Sequence, residues 1–95
     1  MPSRYLTRPT SAFQRDVRSL TKRNPNLLIA IDEMERTLQE DPFNLTRQHQ
    51  ITKLVNVKVG NGQWRIRSGD YRLRYDIVGD EVIMYSFTHR KETYD

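Results

Sequence analysis

The stretch WRIRSGDYRLRYDI, residues 64–77, alternates apolar and charged side chains on both sides of a Ser-Gly-Asp turn signal. Alternation with a period of two is typical of β-strands that bury one face. A two-residue loop at Ser68 and Gly69 separates the two faces, whereas a three-residue loop would mix them, because a one-residue slip turns every side chain over. The stretch predicts a hairpin with a core face of Trp64, Ile66, Tyr71 and Leu73 and an opposite arginine face of Arg65, Arg67, Arg72 and Arg74.

The charges on the arginine face need an explanation. In this register Arg65 lies opposite Arg72, and a like-charge cross-strand pair is unfavourable by itself. Asp70 and Asp76 are close enough in sequence to offset the positive charges of Arg67 and Arg74, respectively. One interpretation is a solvated sheet face whose long side chains spread apart. The other is an anion site, because guanidinium groups bind phosphate through two parallel hydrogen bonds.

The next strand extends this face in the prediction. Residues 81–88 are apolar on both faces, which suits a central strand. A two-residue loop at Gly79-Asp80 pairs Tyr75 with Met84, and it sets Tyr85, Phe87 and His89 beside the arginines. Aromatic side chains among basic ones favour single-stranded RNA or DNA over duplex, since bases can stack on them.

The N-terminal half predicts two helices. Residues 4–7 form a first strand, and the capping-box spacing of Ser11 and Gln14 indicates a helix start. Asn24-Pro25 begins a second helix, which Pro42 ends. Residues 51–59 are interpreted as extended. The chain is therefore expected to be one α+β domain over residues 1–95, with two antiparallel helices on one face of a small, mainly antiparallel sheet. The helical stripes are Phe13, Val17 and Leu20, then Leu27, Leu28, Ile31, Met34 and Leu38.

The composition limits the class of function. The 95 residues carry a net charge of +4 with no cysteine, so disulfides and thiolate metal sites are excluded. No metal-spaced cluster is visible, and no cofactor is expected. The longest apolar run is far short of the ~20 residues that span a bilayer, and no signal-peptide pattern is visible, so we expect a cytoplasmic protein. Basic residues dominate from Arg47 to Arg74, which indicates a polyanionic partner.

Residues 63–94, QWRIRSGDYRLRYDIVGDEVIMYSFTHRKETY, together with the helical hairpin and Lys53-Leu54, resemble the RelE/ParE toxin superfamily of bacterial and archaeal toxin–antitoxin systems. The most specific parts are RIRSGDYRLRYDI and HRKETY. The resemblance implies a RelE-type, metal-independent endoribonuclease that cuts mRNA, commonly in the ribosomal A site. The 2′-hydroxyl would attack the adjacent phosphate and leave a 2′,3′-cyclic phosphate and a 5′-hydroxyl.

The resemblance also implies site residues. Arg65 and Arg67 stand where the family often has lysine, and guanidinium cannot transfer protons, so both would act only as charge clamps. Proton transfer then falls to His89, Tyr94, Lys53 or Lys58. The implied catalytic set is Arg65, Arg67, Arg72, His89, Arg90 and Tyr94, and the implied RNA-binding set is Lys53, Lys58, Arg74, Tyr85, Phe87 and Lys91.

Two other functions stay open at this point. A ParE-like toxin shares the fold, lacks the ribonuclease residues and poisons DNA gyrase. A non-catalytic relative would use its basic face only to bind RNA or an acidic antitoxin segment. An acidic antitoxin that covers the arginine face is the expected partner in every case, mRNA and the ribosome are partners only of the ribonuclease, and the oligomeric state is left open.

Overall fold

A computed structural model describes residues 4–93 of the chain, and it contains one five-stranded sheet with the strand order β1-β5-β4-β3-β2. The edge strand β1 is parallel to β5, and all other neighbours are antiparallel. The predicted α+β fold is confirmed. The elements are β1 (Leu6–Pro9), α1 (Ser11–Arg23), α2 (Leu27–Glu40), β2 (Ile51–Lys53), β3 (Trp64–Ser68), β4 (Tyr71–Val78), β5 (Glu81–His89) and the short α3 (Arg90–Thr93).

Both long helices cover one face of the sheet, because their apolar stripes and one face of β3, β4 and β5 share a single core. The buried helical residues repeat every three or four positions, as one face of a helix requires. Leu28, predicted to join this stripe, is instead 52% exposed, one position around the helix from Leu27. Neither of these two helices covers the other face of the sheet. The core consists of Phe13, Leu20, Leu27, Ile31, Met34, Leu38, Ile66, Leu73, Tyr75, Val82, Met84 and Phe87.

Several predicted boundaries were wrong. The N-cap of α1 is Thr10 rather than Ser11, and its hydroxyl accepts a hydrogen bond from the Phe13 N–H at 3.2 Å. The first strand occupies Leu6–Pro9 rather than 4–7, and α2 begins after an Asn26 N-cap. The extended segment predicted over 51–59 is only the strand Ile51–Lys53, because Asn56 adopts a positive φ that breaks it.

The loop between β3 and β4 has the predicted length but lies one residue further along, at Gly69-Asp70, where Gly69 has a φ of +58°. The pairing therefore shifts by two residues, which preserves the faces and changes the partners. Arg67 lies opposite Arg72, and Arg65 lies opposite Arg74. The arginine face thus has two like-charge pairs rather than the single predicted pair of Arg65 and Arg72.

A β-bulge changes the last strand. The predicted pair Tyr75–Met84 is confirmed, but the register shifts between Arg74 and Tyr75, with Tyr85 as the extra residue. The predicted position of Phe87 on the arginine face is therefore wrong: Phe87 is fully buried in the core. Ser86 and Thr88 take that position, opposite Arg74 and Arg72.

Within residues 4–93, none of the helices has the length and apolar character that crossing a membrane requires.

Candidate functional site

The arginine face consists of two rows that run across the sheet. One row is Arg67, Arg72 and Thr88 on β3, β4 and β5, and the other is Arg65, Arg74 and Ser86 on the same strands. Residues opposite each other across strands point to the same face, and successive residues point to opposite faces. The alternation that buries the core side chains therefore fixes this second set on the free face.

Residues 57–63 form a loop that is fastened to the arginine face by Asp76 and Arg74. The Asp76 carboxylate accepts hydrogen bonds from the N–H groups of Gly60, Gly62 and Gln63, the last at 2.7 Å. Arg74 donates from Nε to the Gly62 carbonyl at 2.9 Å and from Nη2 to the Asn61 carbonyl at 3.0 Å. Arg74, which was predicted to contact RNA, therefore uses its guanidinium group to bind this loop. We call residues 57–63 the anchored loop.

Gly62 fits only as glycine. Its φ is +81°, which disfavours side chains, and an added Cβ would lie 3.0 Å from the Arg74 Cβ. The anchored loop therefore packs directly against the arginine row.

Asp76 is buried, and burial by itself raises the pKa of its carboxyl. Hydrogen bonds from the N–H groups of Gln63, Gly60 and Gly62 and from the Tyr85 hydroxyl outweigh burial, so the pKa lies below its usual value. In turn, burial and the nearby Asp76 charge raise the pKa of Tyr85. Tyr85 therefore lies on the arginine face, as predicted, with its hydroxyl bound to Asp76.

A lowered folded-state pKa makes the contribution of Asp76 to stability pH-dependent. The contribution is fully present above the unfolded-state pKa, which is about 3.9 for Asp, and is lost as pH falls through the folded-state value. We expect the difference in unfolding free energy between the wild type and Asp76→Asn to be constant from pH 7 to 5 and to shrink below about pH 4. Urea titrations of both proteins across this range measure it; a difference that grows as pH falls would contradict the assignment.

Arg72 differs from the other arginines in its hydrogen bonding. Arg67 donates from Nε to the Gln50 Oε1 at 2.7 Å, and Arg74 binds the anchored loop. The Nη1 of Arg72 is buried and has no partner among residues 4–93. Within the same described range, none of the arginines of the arginine face forms an ion pair. This part of the face therefore has unused capacity to bind an anion.

Arg65 and Arg67 also line a recess next to β2, together with residues 49–52. Arg65 is half-buried and Arg67 is exposed. Two positive groups at the rim of a recess make it a second place where an anion can approach the face.

The candidate site residues near the C-terminus lie in different parts of the structure. Arg90 begins α3, and its guanidinium lies 3.8 Å from the Asp70 carboxylate, while Lys91 is exposed. The His89 ring contacts Tyr71 edge-on at 5.1 Å, and Tyr71 stacks on the buried Phe87. His89 therefore lies on the helix side of the sheet rather than beside the arginines, which corrects its predicted position. Tyr94 lies outside the described residues.

The two candidate lysines also lie in different places. The Nζ of Lys53 lies 5.6 Å from the centroid of the Trp64 ring, which belongs to the core side, so Lys53 faces away from the arginines. Lys58 is exposed in the anchored loop, and other residues of this loop bind Asp76 and Arg74. Burial of Phe87 excludes it from contact with a ligand.

Sequence reasoning missed Thr88 and Asp76. Thr88 reaches the arginine face only because of the bulge at Tyr85, and its hydroxyl is buried without a partner among residues 4–93.

The chemistry that this face offers is electrostatic: guanidinium groups and a hydroxyl arranged to hold a negatively charged group. Among the described residues, no group of His, Asp or Glu is placed to hold a metal ion.

A small sheet with two helices on one face and arginines on the other defines a class of α+β domain whose uncovered sheet face is positively charged. Residues 8–94 match the profile of a family described as the ParE toxin of type II toxin–antitoxin systems, parDE. The chain therefore belongs to the ParE/RelE family of type II toxin–antitoxin toxins.

Solved structures agree with this family. The chain resembles one chain of the RelBE2 toxin–antitoxin complex of Mycobacterium tuberculosis, with a TM-score of 0.70 and 27% identity over 95% of this chain and 100% of that one. It also resembles a chain of the RelB–RelE complex of Methanococcus jannaschii, with a TM-score of 0.55 and 26% identity over 92% and 94% of the two chains. Comparison with curated proteins gave no significant match.

Proposed function

We propose that this toxin is a metal-independent endoribonuclease that cleaves mRNA, at the ribosome, and so stops translation. The observation that supports it best is the arginine face itself: two like-charge arginine pairs without a carboxylate partner among residues 4–93, and a buried Arg72 Nη1 with no partner there. Such an arrangement is unfavourable when empty and favourable when a phosphate backbone lies on it.

The proposed reaction balances without a cofactor. The 2′-hydroxyl loses its proton, its oxygen forms a new bond to phosphorus, and the bond from phosphorus to the 5′-oxygen breaks. The departing oxygen takes up a proton, which gives a 2′,3′-cyclic phosphate and a 5′-hydroxyl. Charge grows on the phosphate oxygens in the transition state, and Arg65, Arg67 and Arg72, which share one face of the sheet, would stabilise that charge.

These arginines do not move the protons, because guanidinium stays protonated in proteins. His89 and Lys53 face the other side of the sheet, so they are poor candidates. Lys58, in the anchored loop, and Tyr94 are the proposed proton-transfer groups. Arg90 and Lys91 would hold the RNA backbone beyond the cleavage site, and Tyr85 and Arg74 would shape the floor of the RNA path.

We further propose an acidic antitoxin as the partner in the cell. Both solved relatives are toxin–antitoxin complexes. The exposed positive charge of Arg67 and the recess beside it suit an acidic peptide that covers the arginine face and blocks RNA. The proposed location is the cytoplasm, where mRNA and ribosomes are found.

A second candidate is inhibition of DNA gyrase. It is favoured by the match to a family whose description names the ParE toxin. Arginine in place of lysine at positions 65 and 67 also reduces the number of groups able to transfer protons.

Addition of the purified chain to a reconstituted translation reaction distinguishes the two candidates. We expect mRNA to be shortened and peptide synthesis to stop, while DNA supercoiling by purified gyrase continues at its normal rate. Intact mRNA with blocked supercoiling would replace the ribonuclease proposal with the gyrase one. Intact mRNA with normal supercoiling would leave only a binding function.

A further inference from the structure

The Thr88 hydroxyl is an unexplained group on the arginine face. Its Oγ1 is buried, and it has no hydrogen-bond partner among residues 4–93. Among the residues that the structure describes, the Nη1 of Arg72 is the other buried side-chain nitrogen or oxygen without a hydrogen-bond partner. A buried polar group that is left unpaired is unfavourable, and native proteins rarely keep one without a use.

These two unpaired groups belong to neighbouring side chains. Arg72 and Thr88 are direct cross-strand partners on β4 and β5, and such partners have Cβ atoms about 5 Å apart. Both side chains point to the arginine face. The bulge at Tyr85 is what brings Thr88 there, since an unbroken register would place Phe87 opposite Arg72 instead.

The chemistry of the pair selects its ligand. Guanidinium only donates hydrogen bonds, and a threonine hydroxyl donates one proton, so a shared ligand must supply several acceptor oxygens. Arg67, the remaining member of the same row, adds positive charge beside them. A phosphate group satisfies these conditions, with several oxygens and negative charge.

We propose that Thr88 and Arg72 form a pocket for a phosphate group, in which the Thr88 hydroxyl and the Arg72 Nη1 donate to non-bridging oxygens. This inference rests on the proposed function where it identifies the phosphate as that of the RNA to be cleaved. It assigns Thr88 as a binding residue for that phosphate, at a position that the family resemblance did not identify.

The matched substitutions are Thr88→Val, which removes only the hydroxyl, and Thr88→Ser, which keeps it. Thr37→Val is the control, because the Thr37 hydroxyl is bound to the Glu33 carbonyl on α2 and lies on the helix side. Inorganic phosphate is titrated into each full-length protein, and binding is followed by NMR through the Nε–H signal of Arg72. Thermal unfolding and cleavage in the translation reaction are measured on the same samples.

We expect Thr88→Val to weaken phosphate binding and lower cleavage by roughly tenfold or more, the loss typical of a hydrogen bond to a charged group. Its Tm should stay equal or rise, because an apolar replacement of an unpaired buried hydroxyl is neutral or stabilising. Thr88→Ser and Thr37→Val should bind and cleave like the wild type. A merely structural role for Thr88 would lower the Tm and leave phosphate binding unchanged.

If Thr88→Val bound phosphate and cleaved mRNA like the wild type, the proposed phosphate pocket would be wrong, while the ribonuclease proposal would still stand. Phosphate binding that depends on Thr88, in a protein that cleaves no mRNA, would support the pocket and overturn the ribonuclease. If Thr88→Val weakened binding of acetate but not of phosphate, the pocket would belong to a carboxylate and the proposal would be wrong.

Discussion

Replacement of Arg72 by alanine should reduce mRNA cleavage by about 100- to 1,000-fold, the loss typical of removing one preorganised transition-state donor. Arg72 lies between Arg67 and Thr88, and its Nη1 has no partner among residues 4–93 that would compete with a phosphate. Cleavage in the reconstituted translation reaction measures the effect, and growth arrest on expression should disappear in parallel.

The control for Arg72→Ala is Arg36→Ala, which removes the same charge from an exposed position on α2. Arg36→Ala should cleave like the wild type. Arg72→Lys should be intermediate, because an ammonium keeps the charge but loses the planar fork. If a folded Arg72→Ala protein cleaved mRNA at the wild-type rate, the arginine face would have no part in the reaction.

Replacement of Asp76 by alanine should have the largest effect on stability. The carboxylate is the acceptor for the N–H groups of Gly60, Gly62 and Gln63. A donor left unpaired in the interior costs about 1–3 kcal/mol, so we expect a loss of about 3 kcal/mol or more. Domains of this size have about 5–15 kcal/mol in total, and the Tm should fall by well over 10 °C at about 4–8 °C per kcal/mol.

Differential scanning calorimetry measures this loss, with Asp32→Ala on the exposed side of α2 as the matched control. Asp76→Asn should fall between the two, since an amide keeps one acceptor oxygen. A Tm for Asp76→Ala equal to that of Asp32→Ala would mean that the anchored loop does not depend on this carboxylate.

Alternation in the sequence was sufficient to predict the arginine face. The loop between β3 and β4 lies one residue away from its predicted place, yet all four arginines share a face because the pairing shifted by two. A pairing shift by an even number of residues keeps every side chain on the same face. The prediction of the arginine face therefore did not require the exact position of the turn. The core of the hairpin was predictable for the same reason.

Alternation could not predict the bulge at Tyr85. An extra residue in one strand depends on how both neighbouring strands pair, and nothing within residues 81–88 marks it. That single extra residue placed Thr88 on the arginine face instead of Phe87, and it placed His89 on the helix side instead of beside the arginines.

The role of Asp76 depends on contacts that are distant in sequence. Its partners lie 13 to 16 residues away, in the residues that directly follow the predicted extended segment 51–59. Asp76 was expected to relieve the charge of Arg74, and instead each of them binds a different set of backbone groups in the anchored loop. Local patterns carry no information about such pairing.

The chemistry of the cut ends tests the central claim most directly. Messenger RNA recovered from a translation reaction with the purified chain can be sequenced by ligation methods specific for 5′-hydroxyl and for 2′,3′-cyclic phosphate ends. We predict new ends of both kinds at matching positions, present with the wild type and absent with Arg72→Ala. Intact mRNA, or fragments with 5′-phosphate and 3′-hydroxyl ends, would contradict the assignment of this arginine face to ribonuclease chemistry.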